Sequence, residues 1–346
     1  MQLGLYSFAE LSPSTDTRGI RGQQRMAELL EEIKLADILG LDIYAVGEHH
    51  RPDFIASSPA VILGAAASIT NKIRLSSAVT VLSSDDPVRV FQQFSTVDLL
   101  SNGRAEIMAG RGSFIESFPL FGYDLNDYDT LFSEKLELLM QLNEADRVIW
   151  KGKHRPPINN LGVFPRPVQD SLPIWVAAGG TPDSAKRAGK LGLPLALAII
   201  GGSLEQFVPF ISLYKKTYLE SGHDPKNMQV GINCHLYIAD TEKQAADESY
   251  GPYAEVMSRI GRERGWAPMN RMGFDQMRTP KGSLFVGSPQ QIIDKIKYVY
   301  ELFGNTRFLA QMSVGPMPHE KIMHSIELFG KVVAPAIRSM NLENDR

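Results

Sequence analysis

The sequence predicts an α/β fold in which a parallel sheet closes on itself, a (β/α)8 TIM barrel with insertions. Three observations lead there. Short apolar runs alternate with longer amphipathic stretches along nearly the whole chain, the pattern of βα units around a parallel sheet. Eight strand-like runs can be marked out, the number that closes such a barrel. The 346 residues exceed the usual single-core domain, yet no linker divides them, and closed α/β barrels use this length as one domain. The expectation is one barrel domain over 1–346, with insertions near 148–172 and 240–285.

Taken in order, strands are expected at 2–8, 42–48, 73–82, 104–110, 173–178, 194–200, 230–238 and 306–312. After the first comes "QQRMAELLEEIKLADILG", helical in its apolar spacing, with Gly40 able to end it in the left-handed conformation. "PAVILGAAASIT" follows the second strand, and Pro87 opens "PVRVFQQFSTVDLL" after the third. "SEKLELLMQLNEA", "SAKRAGKLG" and "LEQFVPFISLYKKTYLESG" follow the fourth, fifth and sixth. Ser288 can cap the next helix, with Pro289 at its first position and Gly304 at its end. "HEKIMHSIELFGKVVAPAIRSM" closes the pattern. Two regions exceed a minimal barrel, the Pro- and Asn-rich 148–172 and the segment 240–285, and insertions of this kind form loops or lids on the catalytic face.

Composition narrows the partners. Apolar residues make up 43% and charged residues 22%, with a formal charge of −3. Lys and Arg are spread along the chain, so no electrostatic footprint for nucleic acid or anionic lipid is present. A small-molecule partner is expected. Cys234 is the only cysteine, which excludes an intramolecular disulfide and a thiolate metal cluster. "MQLGLYSFAE" carries no basic leader, and the longest apolar run, "LPLALAII", is far short of a membrane span. A cytoplasmic protein with no membrane partner is therefore expected.

Four stretches carry candidate chemistry. In "YAVGEHHRPDF" (44–54) the period of a strand puts Ile43, Ala45, Gly47 and His49 on one side and Tyr44, Val46, Glu48 and His50 on the other. The histidines diverge and no HExxH spacing exists, so no metal site is expected. The strand's C-terminal end is where a barrel assembles its active site, which leaves a functional role for these histidines and a merely hydrogen-bonded place beside the sheet equally open. "SSAVTVLSSDDP" (76–87) ends a strand in small residues over which a flat ligand could approach, a feature equally consistent with packing alone. "AEIMAGRGSF" (105–114) ends in Arg111 between two glycines, either a solvated turn or a phosphate ligand. "PIWVAAGGTPDSAKRAG" (173–189) runs a buried strand into Gly179 and Gly180, then opens a helix at Thr181 and Pro182, leaving amides and a helix dipole for an anion. Neither GxGxxG nor GxxxxGK[ST] occurs, which disfavours a nicotinamide domain and a P-loop.

Together these stretches resemble the flavin-dependent, bacterial luciferase-like monooxygenases. "LDIYAVGEHHRPDF", "RLSSAVTVLSSDDPVRVFQQFSTVDLLSNGRAEIMAGRG", "FPRPVQDSLPIWVAAGGTPDSAKRAGKLGLP", "FVGSPQQIIDKI" and "MPHEKIMHSIELFGKVVAPAIR" occur in the family's order over almost the full length. The resemblance implies a barrel that binds FMN, or in some branches a deazaflavin, and a homodimer. It makes His49 the acid/base candidate, exchanging a proton near neutral pH. It puts Ala78 and Val79 at a non-prolyl cis bond beneath the flavin. Arg111 becomes the phosphate arginine, and Gly179, Gly180, Thr181 and Ser184 the phosphate loop, although luciferase has an acidic residue where Gly180 stands. His50 is expected to be structural, with Glu48 orienting one of the pair. The implied reaction uses reduced FMN, delivered by a separate flavin reductase, and molecular oxygen to oxidise a small organic substrate. The alternatives are a deazaflavin-dependent dehydrogenase or reductase on the same barrel, and a non-catalytic flavin-binding barrel.

Overall fold

The computed structural model describes residues 1–11, 20–112 and 114–340; the tail 341–346 of the expected domain lies outside the described residues. The strands are β1 (Gln2–Ser7), β2 (Ile43–Val46), β3 (Arg74–Ser77), β4 (Thr80–Val81), β5 (Ala105–Gly110), β6 (Arg147–Trp150), β7 (Ile158–Gly162), β8 (Ile174–Ala178), β9 (Leu195–Ile199), β10 (Val230–Ile238), β11 (Phe285–Gly287) and β12 (Arg307–Gln311). β1, β2, β3, β5, β8, β9, β10 and β12 pair in that order, all parallel, and β12 returns to β1, so the (β/α)8 barrel is closed.

The helices are α1 (Ile20–Ile38), α2 (Pro59–Ala67), α3 (Pro87–Ser101), α4 (Ser117–Phe121), α5 (Tyr128–Glu144), α6 (Pro182–Leu191), α7 (Val208–Glu220), α8 (Glu242–Arg264), α9 (Arg271–Met277), α10 (Pro289–Phe303), α11 (His319–Leu328) and α12 (Ala334–Ser339). Gly40 and Gly304 follow α1 and α10 in the left-handed conformation, where the sequence placed the stops. At α3, Asp86 accepts from the amides of Val88 and Arg89 while Pro87 takes the first position. None of the described helices is long and apolar enough to cross a membrane.

Strand period sorts the core into two. Tyr6, Ile43, Ala45, Ala78, Met108, Trp175, Ala196 and Leu309 pack together inside the barrel, whereas Leu5, Tyr44, Val46, Ile107, Val176 and Leu197 pack outward under the helices. Inside, Arg307 donates from Nη1 and Nη2 to the two carboxylate oxygens of Glu106 at 2.6 and 2.9 Å. Ser76 Oγ also donates to Glu106, and the guanidinium lies 3.8 Å from the Trp175 ring centroid. Burial raises the Glu106 pKa, but the Arg307 charge and hydrogen bonds outweigh it and hold the carboxyl below its usual range.

Three expectations change. The expected strand 73–82 is interrupted, giving β3 and β4 around a bend at Ala78 and Val79. The insertion near 148–172 contains part of an antiparallel hairpin, β6 with β7. The insertion 240–285 is not a loop: most of it is α8 and α9, with Thr241 capping α8 by accepting from the Gln244 amide. Its polar face and internal Pro252 masked the helical pattern.

Candidate functional site

Just beyond the end of β3 and near the C-terminal end of β8 the inward side chains are small, Ala78 and Ala177. The Ala78–Val79 peptide bond is cis, as the resemblance implied. A Cβ on Gly110 would lie 2.7 Å from a Val79 methyl, so glycine is what lets β5 approach this bend. Glu48 pins the bend to β2: its amide donates to the Val79 carbonyl at 3.2 Å, and one carboxylate oxygen accepts from the Val81 amide at 2.9 Å. The other oxygen lies 2.8 Å from His50 Nε2. Glu48 thus orients His50, and His50 faces a cavity of about 180 Å³ bordered by Ser57, Thr80 and Asp85.

His49 ends β2 in a different environment. Its ring is surrounded by Phe8 and Phe54, each at 4.4 Å between centroids, and Phe114 at 5.1 Å. Its amide donates to the Ala56 carbonyl at 2.9 Å, which fixes the loop that carries it. Burial, reinforced by the charges of Arg51 and His50, pulls the imidazole pKa down to about 3. The near-neutral titration expected of His49 is therefore absent: the ring is uncharged at physiological pH, because three phenyl rings replace the water that would solvate an imidazolium. An uncharged imidazole can accept a proton when the reaction places compensating negative charge beside it.

Arg111, Thr181 and Ser184 come together. Arg111 Nη2 donates to Thr181 Oγ1 at 3.2 Å and to Ser184 Oγ at 3.1 Å, and the two hydroxyls lie 2.8 Å apart. Arg111 Nη1 pairs with the exposed Asp129 carboxylate, and the guanidinium lies 5.0 Å from the Tyr128 ring centroid. Gly179 and Gly180 lead into α6, whose first-turn amides receive no side-chain cap; a Cβ on Gly179 would meet nothing within 4 Å. The backbone here is open to a ligand.

Arg187 completes this cradle and was missed in the sequence. It lies three residues beyond Ser184 on α6, the spacing that shares a helix face, and that spacing was the available signal. Its Nη1 is buried without a hydrogen-bond partner. Burial, then the neighbouring Arg111 charge, lowers its pKa. Two guanidiniums, two hydroxyls and a free helix N-terminus form a donor set for a phosphate monoester. The unpartnered Nη1 is the donor such a group would satisfy.

A second element missed in the sequence is the clasp over the barrel mouth. Arg51 Nη2 donates to Glu263 at 2.6 Å, Arg51 Nε to Asp53 at 3.1 Å, and Arg259 to Asp53 at 2.8 Å. Arg51 Nη1 also donates to Glu116 and the guanidinium carbon lies over the Phe114 ring, so the end of α8 is tied to the segments after β2 and β5. Two of its partners, Glu116 and Glu263, are 65 and 212 residues distant in sequence, beyond any local pattern.

The chain belongs to the luciferase-like monooxygenases, whose family model matches residues 1–306, and is an oxidoreductase of that class. It is 24% identical over 345 residues to the oxygenase component of a flavin-dependent trigonelline monooxygenase from Acinetobacter baylyi, covering 93% of this chain and 92% of that protein. It is 30% identical over 178 residues, about half of each chain, to an F420-dependent glucose-6-phosphate dehydrogenase from Amycolatopsis mediterranei (48% and 51% covered). Among solved structures, the monooxygenase RslO1 from Streptomyces bottropensis superimposes with a TM-score of 0.84 at 24% identity, covering 97% of this chain and 99% of that one. That likeness bears on the fold.

Proposed function

We propose that this protein is an oxygenase that binds reduced FMN and uses molecular oxygen to oxidise a small organic substrate. The observation that carries the reading is the phosphate cradle of Arg111, Arg187, Thr181, Ser184 and the α6 N-terminus, next to a floor of small residues at Ala78 and Val79. Bound there, reduced FMN supplies the electrons that activate oxygen. The chain's own residues do the rest. Phe8, Phe54 and Phe114 exclude water around His49, and the uncharged His49 takes up a proton at a ring nitrogen as negative charge develops beside it. Glu48 acts on position alone, holding His50 and the Val79–Val81 bend.

A relative described as an oxygenase component supports a separate flavin reductase as partner. The α2–α3 surface, with Val61, Leu99 and Leu100 exposed, is where a homodimer would bury apolar area.

Titration of the purified protein with FMN and with a deazaflavin, followed by absorbance and protein fluorescence, tests the reading. FMN is expected to bind, and the FMN-loaded protein supplied with a reductase and NADH is expected to consume oxygen in a substrate-dependent way. Binding of the deazaflavin without FMN would instead make the protein a hydride-transferring dehydrogenase. Binding of neither would remove the flavin reading.

A further inference from the structure

We propose that His235, Ser249 and Tyr253 form a binding site for a single water molecule, and that this water joins α8 to β10 and so seats the α8–α9 insertion on the barrel wall. The site does not depend on the flavin reading above.

Between β10 and α8 lies a cavity of about 20 Å³, walled by His235 and Tyr237 from β10, by Ser249 and Tyr253 from α8, and otherwise by apolar side chains such as Leu284 and Met312. Roughly 10–15 Å³ of such space admits one water, so this cavity holds a single molecule. Two of its four polar side chains carry a buried atom without a hydrogen-bond partner, His235 Nδ1 and Tyr253 Oη. Folded proteins leave few such atoms, because each has surrendered water with nothing in return. Asn233 Oδ1 and Gln311 Oε1 share that condition, but neither residue borders the cavity.

The donors and acceptors balance for one water. Burial pulls the His235 imidazole pKa down to about 4 and pushes the Tyr253 phenol up. At neutral pH the ring therefore offers a lone pair and the phenol keeps its proton. Tyr253 Oη donates to the water oxygen. The water's two hydrogens go to His235 Nδ1 and to Ser249 Oγ, whose own proton is spent on the Ala245 carbonyl at 2.7 Å. That makes about the three hydrogen bonds usual for a buried water. Tyr237 takes no part, since its hydroxyl donates to Glu248 at 2.6 Å. The rings of His235 and Tyr253 meet edge-on with centroids 5.8 Å apart, close neighbours that the water bridges.

The location gives the water its role. Ser249 and Tyr253 stand one helical turn apart, so both tie points lie on the face that α8 turns to the barrel. Pro252 deprives α8 of a helix hydrogen bond at this same turn. The tie thus sits where the helix's own bonding is interrupted. Further along α8, Arg259 and Glu263 make the clasp over the barrel mouth, and the seating of this turn sets where the clasp closes.

A high-resolution crystal structure of the purified protein is expected to show one water within about 3.2 Å of both Tyr253 Oη and His235 Nδ1. Tyr253→Phe keeps the ring against Phe274 but deletes the donor. It is expected to empty the site and to speed amide hydrogen exchange in α8 by about two- to tenfold, the worth of one net hydrogen bond. Should Tyr253→Phe lose its native circular dichroism, the density of the parent protein decides. An empty cavity, a water that touches only one of the two atoms, or α8 exchange in a folded Tyr253→Phe equal to that of the parent overturns the proposal.

Discussion

Replacing Asp129 by Asn should tighten FMN binding, while replacing Arg111 by Ala should weaken it, and the opposite signs make the pair a sharp test of the phosphate cradle. Arg111 spends one side of its guanidinium on the Asp129 carboxylate and the other on two neutral hydroxyls, Thr181 and Ser184. Removing it deletes a charge-assisted contact to a phosphate, a loss of about 1.5–3 kcal/mol, or roughly 10- to 150-fold in Kd. Asp129 competes with the incoming phosphate for the same guanidinium. Its side chain is 69% exposed, so solvent screens the pair and its removal is worth at most about 1 kcal/mol, a tightening of up to fivefold. Fluorescence titration with FMN and with riboflavin separates the phosphate from the ring. Riboflavin affinity should be the same, within about twofold, in the parent and both variants, and the Asp129→Asn gain should shrink at high salt. If Asp129→Asn weakens FMN, or if Arg111→Ala costs riboflavin as much as FMN, the phosphate is held elsewhere.

Three further outcomes follow from the same geometry. His49→Ala should keep its fold and bind FMN within about threefold of the parent, yet lose roughly 100-fold in oxygen-dependent turnover; unimpaired turnover would make the ring a packing element. Because burial holds His49 near 3 and His235 near 4, both below the ordinary value of about 6.5, the unfolded chain takes up protons first as pH falls. Stability contributed by their neutrality is intact above about pH 6.5 and is lost progressively toward pH 3. His49→Gln should therefore flatten the acid limb of a pH series of denaturant midpoints, and an unchanged limb would contradict the burial argument. Glu106→Gln should cost about 3–5 kcal/mol in urea unfolding by leaving Arg307 charged and unpaired inside the barrel, with much of it recovered in Glu106→Gln/Arg307→Met; a loss under about 1 kcal/mol would mean that water reaches the pair.

The barrel was legible because its signal is local and repeated. Each strand from 2–8 to 306–312 appears within a few residues of its expected place, since period-two burial against both a core and a helix layer leaves a continuous apolar run. The inward set of Ile43 and Ala45 and the outward set of Tyr44 and Val46 came from that same period. What failed was local pattern where tertiary packing decides. α8 is polar along much of its length and holds a proline, so nothing in its own sequence announces a 23-residue helix. Its stability comes from capping at Thr241, from its own Tyr253 packing against Phe274 of α9, and from the Arg51 and Arg259 clasp.

The site divides in the same way. Residues in adjacent motifs, Arg111 and the Gly179–Ser184 loop, were found because a strand end followed by a helix start has a recognisable grammar, and the structure brings Arg111, Thr181 and Ser184 within hydrogen-bond distance. Asn233, His235, Tyr253 and Gln311 carry no such grammar. Each reads in sequence as an ordinary helix or strand residue and becomes informative only through an atom that folding buries and leaves without a partner. A histidine's proton affinity is likewise a property of its neighbours. His49 and His50 are adjacent in the chain, yet the three phenyl rings around the first push its pKa down to about 3, while the second lies against the Glu48 carboxylate. Chain position found the candidate, but its protonation state required knowing that Phe8, Phe54 and Phe114, spread over more than a hundred residues, close on the same ring.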